Sequence, residues 1–192
     1  QIEDRYGEMT KTKGANHEFL GMNISFLPDR RVRMDMRRYL EEAIHDCKMD
    51  IRRTATTPAT KTLFDVDNSS SRLTADAADT FHSIVSKLLY VGLRGRPDML
   101  VALAFLTTRV SKPNHSDAGK LKQLLEYLKG TLDLTLTLQA DNLQSMFTYV
   151  DVAYGVHADC KSHTGGCITF GTGSIVNKST SISYSELLGS MY

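Results

Sequence analysis

The sequence predicts an α+β fold, with a β-hairpin and helix first, three helices in the middle and strands at the C-terminal end. Apolar and polar residues alternate over residues 17–36, which is typical of half-buried strands. Apolar residues recur at helical spacing over residues 75–130, and alternation returns from Leu132. Hydrophobic residues make up 41% of the 192 positions, which is enough for an ordinary core.

The N-terminal segment predicts a hairpin followed by a helix. Residues 17–26 predict one strand, residues 27–31 a turn containing Pro28, and residues 32–36 a second strand. From Arg37 the apolar positions predict a short amphipathic helix that ends near Lys48. Small and hydroxylated residues then dominate, which indicates a linker.

Three helices with readable ends follow. Thr74 or Asp76 is the predicted N-cap of the first helix. Residues 98–110 are apolar on nearly every side and predict a buried second helix, with Pro97 suited to its first turn. The third helix is expected to end at Gly130, a residue type common just after a helix.

The C-terminal segment predicts strands over residues 132–138, 145–152 and 166–171, and a last helix beginning near Ser185. One acidic residue, Asp151, lies at the end of the second of these strands. A carboxylate at a strand end is well placed to bind a metal ion.

The net charge of the chain is +1, so the overall balance gives no argument for a nucleic-acid partner. Locally, five arginines fall within nine residues: Arg30, Arg31, Arg33, Arg37 and Arg38. They indicate either contacts to a phosphate backbone or a solvated hairpin and helix face.

The three cysteines are an odd number at no metal-ligand spacing, which indicates reduced thiols in a cytosolic or nuclear, intracellular compartment. We expect no signal peptide, because the first residues are charged and no apolar segment follows them, and no apolar stretch approaches the roughly 20 residues that span a bilayer, so we expect no membrane partner. The chain begins with Gln1 rather than Met, and we expect it to be a piece of a longer protein.

Several short motifs occur over residues 17–189, and their order along the chain is more specific than any one of them. They are Thr57-Pro58, Arg96-Pro97-Asp98, His115, the Tyr-Leu-Lys-Gly-Thr string at 127–131, and Asp151 followed by Lys161-Ser162 and Gly165-Gly166. In this order and spacing they resemble the Pol polyprotein of copia-type retrotransposons, in which reverse transcriptase runs directly into ribonuclease H.

This resemblance implies four parts. Residues 1–53 would be the end of the reverse transcriptase palm with a primer-grip-like hairpin, and residues 54–74 a linker. Residues 75–131 would be a helical thumb and connection, and residues 132–192 a truncated ribonuclease-H-like domain with an incomplete sheet. The implied partners are an RNA–DNA hybrid or primer–template duplex and the remainder of the Pol polyprotein.

The resemblance also implies a catalytic and metal site. Ribonuclease H hydrolyses the RNA strand of a hybrid with Mg²⁺ ions held by carboxylates. Asp151 matches the first of these carboxylates and Glu186 the second. The polymerase aspartates of the family lie upstream of the hairpin and have no counterpart here.

Each carboxylate also has an ordinary structural interpretation. Asp151 could cap a turn, and Glu186 could be a first-turn glutamate favoured by the helix dipole. The stretch 179–185 is shorter than in the family, so we expect either a truncated third strand or a different register for Glu186. The isolated fragment is expected to be inactive or nearly so, and the alternatives are a non-catalytic hybrid-binding module and a decayed element without function.

Overall fold

The structure is a computed structural model that describes residues 3–7 and 12–183. Its helices are α1 (Glu3–Tyr6), α2 (Arg37–Asp46), α3 (Ala75–Arg94), a 3₁₀ helix (Pro97–Met99), α4 (Leu100–Thr107) and α5 (His115–Gly130). Its strands are β1 (Asn16–Phe19), β2 (Met22–Phe26), β3 (Val32–Asp35), β4 (Leu136–Ala140), β5 (Phe147–Ala153), β6 (Ser162–Thr169), β7 (Gly171–Thr172) and β8 (Val176–Ile182). The predicted α+β class is confirmed.

The N-terminal hairpin has three strands where the sequence predicted two. The expected strand at 17–26 is broken at Leu20 and Gly21, both of which have positive φ angles, 50° and 75°. A Cβ atom at Gly21 would lie 2.1 Å from the Tyr39 ring, so only glycine fits this tight turn. The hydroxyl of Tyr90 donates a hydrogen bond to the Leu20 carbonyl at 2.7 Å, which ties the turn to α3.

Strand β4 extends the sheet formed by this hairpin. The strand order is β1-β2-β3-β4-β7, with β3 and β4 antiparallel. The strand expected at 132–138 begins only at Leu136 and runs to Ala140, and residues 136–138 pair with Val32, Arg33 and Met34. Part of the segment 132–192 therefore shares a sheet with the segment 1–53, while the predicted domain boundaries stay a prediction.

The helices pack around one apolar core. Thr74 accepts a hydrogen bond from the Ala77 N–H at 3.4 Å and is the N-cap of α3. The second predicted helix begins as a 3₁₀ turn with Pro97 at its first position and becomes α-helical at Leu100. The largest fully buried side chains come mainly from α3, α4 and α5: Phe81, Ile84, Leu88, Leu103, Leu106, Leu121, Leu124, Leu125 and Leu128.

The connecting segment, residues 54–74, lies along α5 and is hydrogen-bonded to it at several points. The Ala55 N–H donates to the Glu126 carbonyl at 3.1 Å, and the Gln123 side chain donates to the Thr57 carbonyl at 3.0 Å. Near the other end the His115 N–H donates to the Ser71 carbonyl at 3.1 Å. These bonds hold a segment whose composition alone is typical of a free linker.

A second, antiparallel sheet has the strand order β5-β6-β8. The sequence left open a truncated third strand or a different register for Glu186; the third strand, β8, spans seven residues and pairs with β6 from Ser162↔Ile182 to Ile168↔Val176, and Glu186 lies outside the described residues. The sequence predicted no strand for the serine and threonine run at 178–183, but this run forms most of β8, and five of the seven β8 residues are partly buried. The helix expected from Ser185 lies outside the described residues.

Within residues 3–7 and 12–183, no helix is long and apolar enough to cross a membrane.

Candidate nucleic-acid interface and metal site

The N-terminal sheet has one apolar face and one polar face. Residues opposite each other in an antiparallel register share a face. The apolar face includes Met22, Ile24 and Met34, which pack on the core. The opposite face is polar on all four strands and consists of Asn16, Glu18, Asn23, Ser25, Arg33, Asp35 and Thr137.

Three of the five predicted nucleic-acid-binding arginines are neutralised by carboxylates. Arg31 contacts Asp29 at 2.6 Å, and this hydrogen bond lowers the pKa of the Asp29 carboxyl below its ordinary value. The other two ion-paired arginines belong to α2. Arg37 forms ion pairs with Glu41, four residues later in α2, and with Asp133. Arg38 forms ion pairs with Glu42, also four residues later, and with Glu18 of β1.

The remaining two arginines form no ion pair within the described residues. Arg33 lies in β3 on the polar face, opposite Ser25 and Thr137. Arg30 lies in the turn before β3 with a φ of 66°, and its N–H donates to the Leu27 carbonyl at 3.1 Å. The positive charge left for a ligand is therefore concentrated at Arg30 and Arg33.

The predicted metal ligand Asp151 lies in β5, opposite Gly165 of β6. It is exposed, and its carboxylate accepts a hydrogen bond from the Val152 N–H at 2.9 Å. Beside it an open groove of about 320 Å³ runs between the second sheet and the start of α4, where Leu100 and Val101 line it.

The described residues do not by themselves form a metal site around Asp151. No group of three or more His, Cys, Asp or Glu side chains converges anywhere in residues 3–7 and 12–183. Mg²⁺ prefers several oxygen ligands, and one exposed carboxylate does not supply them. The other predicted catalytic and metal-binding residue, Glu186, lies outside the described residues.

One glycine of the Gly165-Gly166 pair, Gly166 opposite Val150, has a packing reason. A Cβ atom at Gly166 would lie 3.2 Å from the Tyr149 carbonyl oxygen, closer than side chains ordinarily approach backbone. Glycine therefore lets β5 and β6 pair closely at this point.

Two of the sequence motifs meet in a buried network that the sequence analysis did not anticipate. Arg96, whose side chain is 3% exposed, bonds both carboxylate oxygens of Asp98 and both oxygens of Thr131 at 2.8–3.3 Å. The Tyr127 hydroxyl donates to Asp98 at 2.8 Å. Burial tends to raise the pKa of Asp98, but the hydrogen bonds and charge of Arg96 outweigh it, so the pKa lies below its ordinary value.

A second unanticipated cluster joins the second sheet to the helices. His157 and His163 approach at 3.0 Å between Nε2 and Nδ1, and His163 Nε2 lies 2.7 Å from the Ser179 hydroxyl. The ring of Phe64, in the connecting segment, packs against both imidazoles and against Phe105 of α4.

Comparison with known proteins finds similarity over about four fifths of the chain. The chain is 29% identical over 159 residues to an uncharacterised mitochondrial protein of Arabidopsis thaliana, and this alignment covers 82% of the chain and 59% of that protein. The chain is also 27% identical over 154 residues to the retrovirus-related Pol polyproteins of the Arabidopsis thaliana transposons RE1 and RE2. Each of these alignments covers 80% of the chain and 10% of the polyprotein.

No protein-family model matches the chain, and no solved structure matches it. The chain thus spans about three fifths of the mitochondrial relative and one tenth of each transposon polyprotein. These similarities confirm the predicted resemblance of the chain to a segment of retrotransposon Pol polyproteins.

Proposed function

We propose that this chain is the part of a copia-type Pol polyprotein that joins reverse transcriptase to ribonuclease H and contacts the backbone of an RNA–DNA hybrid or primer–template duplex. The observation that carries the proposal is the polar face of the N-terminal sheet. The face also carries Glu18 and Asp35, and Arg33, which has no ion-pair partner in the described residues, lies on it opposite the hydroxyl side chains of Ser25 and Thr137. Such groups bind phosphate and sugar oxygens without reading sequence.

The proposed parts follow the order of the elements. Strands β1, β2 and β3 act as a primer-grip-like hairpin, and α3, α4 and α5 as thumb and connection. Strands β5, β6 and β8 are the first three strands of a ribonuclease-H-like domain. Support for this last assignment comes from three consecutive antiparallel strands with Asp151 on the first of them.

The proposed role of the isolated chain is binding rather than catalysis. Parent activities, namely RNA-directed DNA synthesis and hydrolysis of RNA in hybrids, are assigned to the longer polyprotein. Within the described residues Asp151 has too few neighbouring carboxylates to hold Mg²⁺. Any contribution of Glu186 requires it to approach Asp151.

The test is fluorescence anisotropy of a labelled RNA–DNA hybrid titrated with the chain at low salt. We expect binding that weakens as salt rises, because arginine–phosphate contacts release counterions. Absence of measurable binding at low salt would overturn the proposal and favour a decayed element. In the same samples, added Mg²⁺ or Mn²⁺ should give little cleavage, and robust cleavage abolished by Asp151→Asn would show that the chain is an active nuclease.

A further inference from the structure

The second sheet, β5-β6-β8, adds no side chain to the apolar core within the described residues. The buried apolar side chains of that core lie between Met22 and Leu128, and the partly buried ones packed on it end at Leu132. Because apolar burial is the dominant favourable term in folding, this sheet depends on a few specific contacts to stay against the helices. Its own buried side chains are polar: Ser162, His163 and Thr169.

Two sets of contacts at opposite ends of β6 hold the second sheet in place, in addition to the packing of β8 beside α4. Just after β6, strand β7 pairs with β4 of the first sheet through residues 139–140 and 171–172. At the start of β6 the imidazoles of His157 and His163 touch, and the Phe64 ring centroid lies 4.4 Å and 5.2 Å from theirs. We call these three side chains the histidine clasp. Since β6 spans eight residues, roughly 25 Å separates the clasp from β7.

The clasp holds one proton between its two imidazoles. Nε2 of His157 and Nδ1 of His163 are 3.0 Å apart, so one nitrogen donates a hydrogen bond and the other accepts it. When both rings are protonated, both nitrogens are donors, the hydrogen bond is lost and two positive charges face each other. On its other side His163 meets the uncharged hydroxyl of Ser179, at 2.7 Å from Nε2.

The charged groups around the clasp do not offset a second positive charge. A cavity of about 380 Å³ beside His157 is lined by uncharged residues of the connecting segment, the end of α4 and β8, and by Arg109, Asp159 and Lys161. Asp159 is ion-paired with Lys161 at 2.7 Å, and Arg109 with Asp117 at 3.0 Å. Among the described residues that line this cavity, the one carboxylate is therefore already neutralised.

We propose that the histidine clasp is a pH-sensitive fastening: double protonation opens it, and this end of the second sheet then separates from α4 and the connecting segment. The β4–β7 pairing has no titratable group in its ladder and keeps the other end attached. Burial lowers the pKa of both imidazoles, so opening is expected below about pH 6.5, where free imidazole titrates. This inference does not depend on the proposed nucleic-acid binding.

Hydrogen-exchange mass spectrometry at pH 7.5 and pH 5.5, about one unit either side of the free imidazole pKa, measures the opening segment by segment. Protection factors corrected for the intrinsic effect of pH should fall about tenfold in residues 62–66 and 155–161, since one extra proton changes an opening equilibrium up to tenfold per pH unit. Protection in α5 and in residues 136–140 should stay unchanged.

Substitution of the clasp separates this device from a general effect of acid. His163→Gln cannot take up the second proton, so the response of residues 62–66 and 155–161 should disappear. His82→Gln, at an exposed position of α3, is the matched control and should respond as the parent does. Circular dichroism at pH 7.5 establishes that each variant is folded, and His157→Gln replaces His163→Gln if the latter is not.

Three results would each overturn the proposal. The first is equal protection of residues 62–66 and 155–161 in the parent chain at both pH values. The second is an equal loss of protection in α5, which would mean global unfolding rather than opening of the clasp. The third is a response in the clasp variant as large as that of the parent.

Discussion

Arg96 is a buried charged residue, and its hydrogen bonds join two motifs that are distant in the sequence, residues 96–98 and residues 127–131. The Arg96-Pro97-Asp98 triplet lies at the start of α4, and Tyr127 and Thr131 lie at the end of α5. Their hydrogen bonds fasten these two helix ends together. At these positions the motif residues that resemble Pol polyproteins have a structural role, because they hold two helix ends together.

Removing the carboxylate from this network should be costly. Asp98→Ala leaves the Arg96 guanidinium, 3% exposed, without its counter-ion, and we expect the free energy of unfolding to fall by about 3 kcal/mol. Tyr127→Phe removes one hydrogen bond and should cost about 1 kcal/mol. Urea unfolding measures both, with the exposed Asp79→Ala as the control. A cost for Asp98→Ala equal to that of Asp79→Ala would contradict this assignment.

The histidine pair predicts a loss of stability in acid. Burial lowers the pKa of both His157 and His163, and the charge of His157 lowers the pKa of His163 further. Asp159 and Lys161, the charged residues nearest His157, shift its pKa in opposite directions. Unfolded histidine titrates near pH 6.5, so below that pH the unfolded chain binds protons that the folded chain excludes.

The free energy of unfolding should therefore fall as pH drops through about 6.5, and level off below the folded pKa values. Urea unfolding between pH 8 and pH 5 measures the slope. His163→Gln should flatten it, whereas His45→Gln, at an exposed position, is the matched control. An unchanged slope in His163→Gln would mean that the pair does not couple to folding.

At the scale of elements, the helix ends show what local sequence can predict. Thr74 was one of the two predicted N-caps of α3, and the end of α5 was predicted to within one residue, because caps and stop residues act on their own neighbours. Asn114 was missed as the cap of α5, since Ser116 and Asp117 follow it and are equally suitable types. Its capping box with Asp117 became visible only in the structure.

Asn114 also links α5 to the connecting segment. Its side chain accepts from the Asp117 N–H at 2.9 Å and donates to the Asp67 carbonyl at 2.8 Å. We expect Asn114→Ala to lower the free energy of unfolding by about 1–2 kcal/mol and to speed amide exchange in residues 65–73. Hydrogen-exchange mass spectrometry measures this. The control is Ser83→Ala on the exposed face of α3. Equally fast exchange of residues 65–73 in this control variant would mean that the effect of Asn114→Ala is not specific to its hydrogen bonds.

Strand pairing was harder to predict than helices for a physical reason. The alternation from Leu132 identifies a strand, but nothing local says which strand it pairs with. The structure pairs β4 with β3, about a hundred residues earlier in the chain. Strand β8 was not predicted because its serine and threonine residues show no apolar alternation, although five of its seven residues are partly buried in the structure.

At the scale of the whole molecule, two sheets flank one helical core, and each presents a different surface. The first sheet turns its polar face outward, with Arg33 on it and Arg30 at its edge. The second sheet exposes the edge strand that bears Asp151. Sequence spacing located the arginine cluster, but it could not reveal that neighbouring acids neutralise Arg31, Arg37 and Arg38.

The salt dependence of hybrid binding tests the central claim most directly. Each arginine–phosphate contact contributes about −0.9 to the slope of log K against log salt concentration. The double variant Arg30→Ala with Arg33→Ala should flatten the slope by about 2, since both charges face a ligand. The control Arg31→Ala with Arg38→Ala, in the same cluster but ion-paired, should change it less. Equal changes in the two double variants, or no change in the first, would contradict the account.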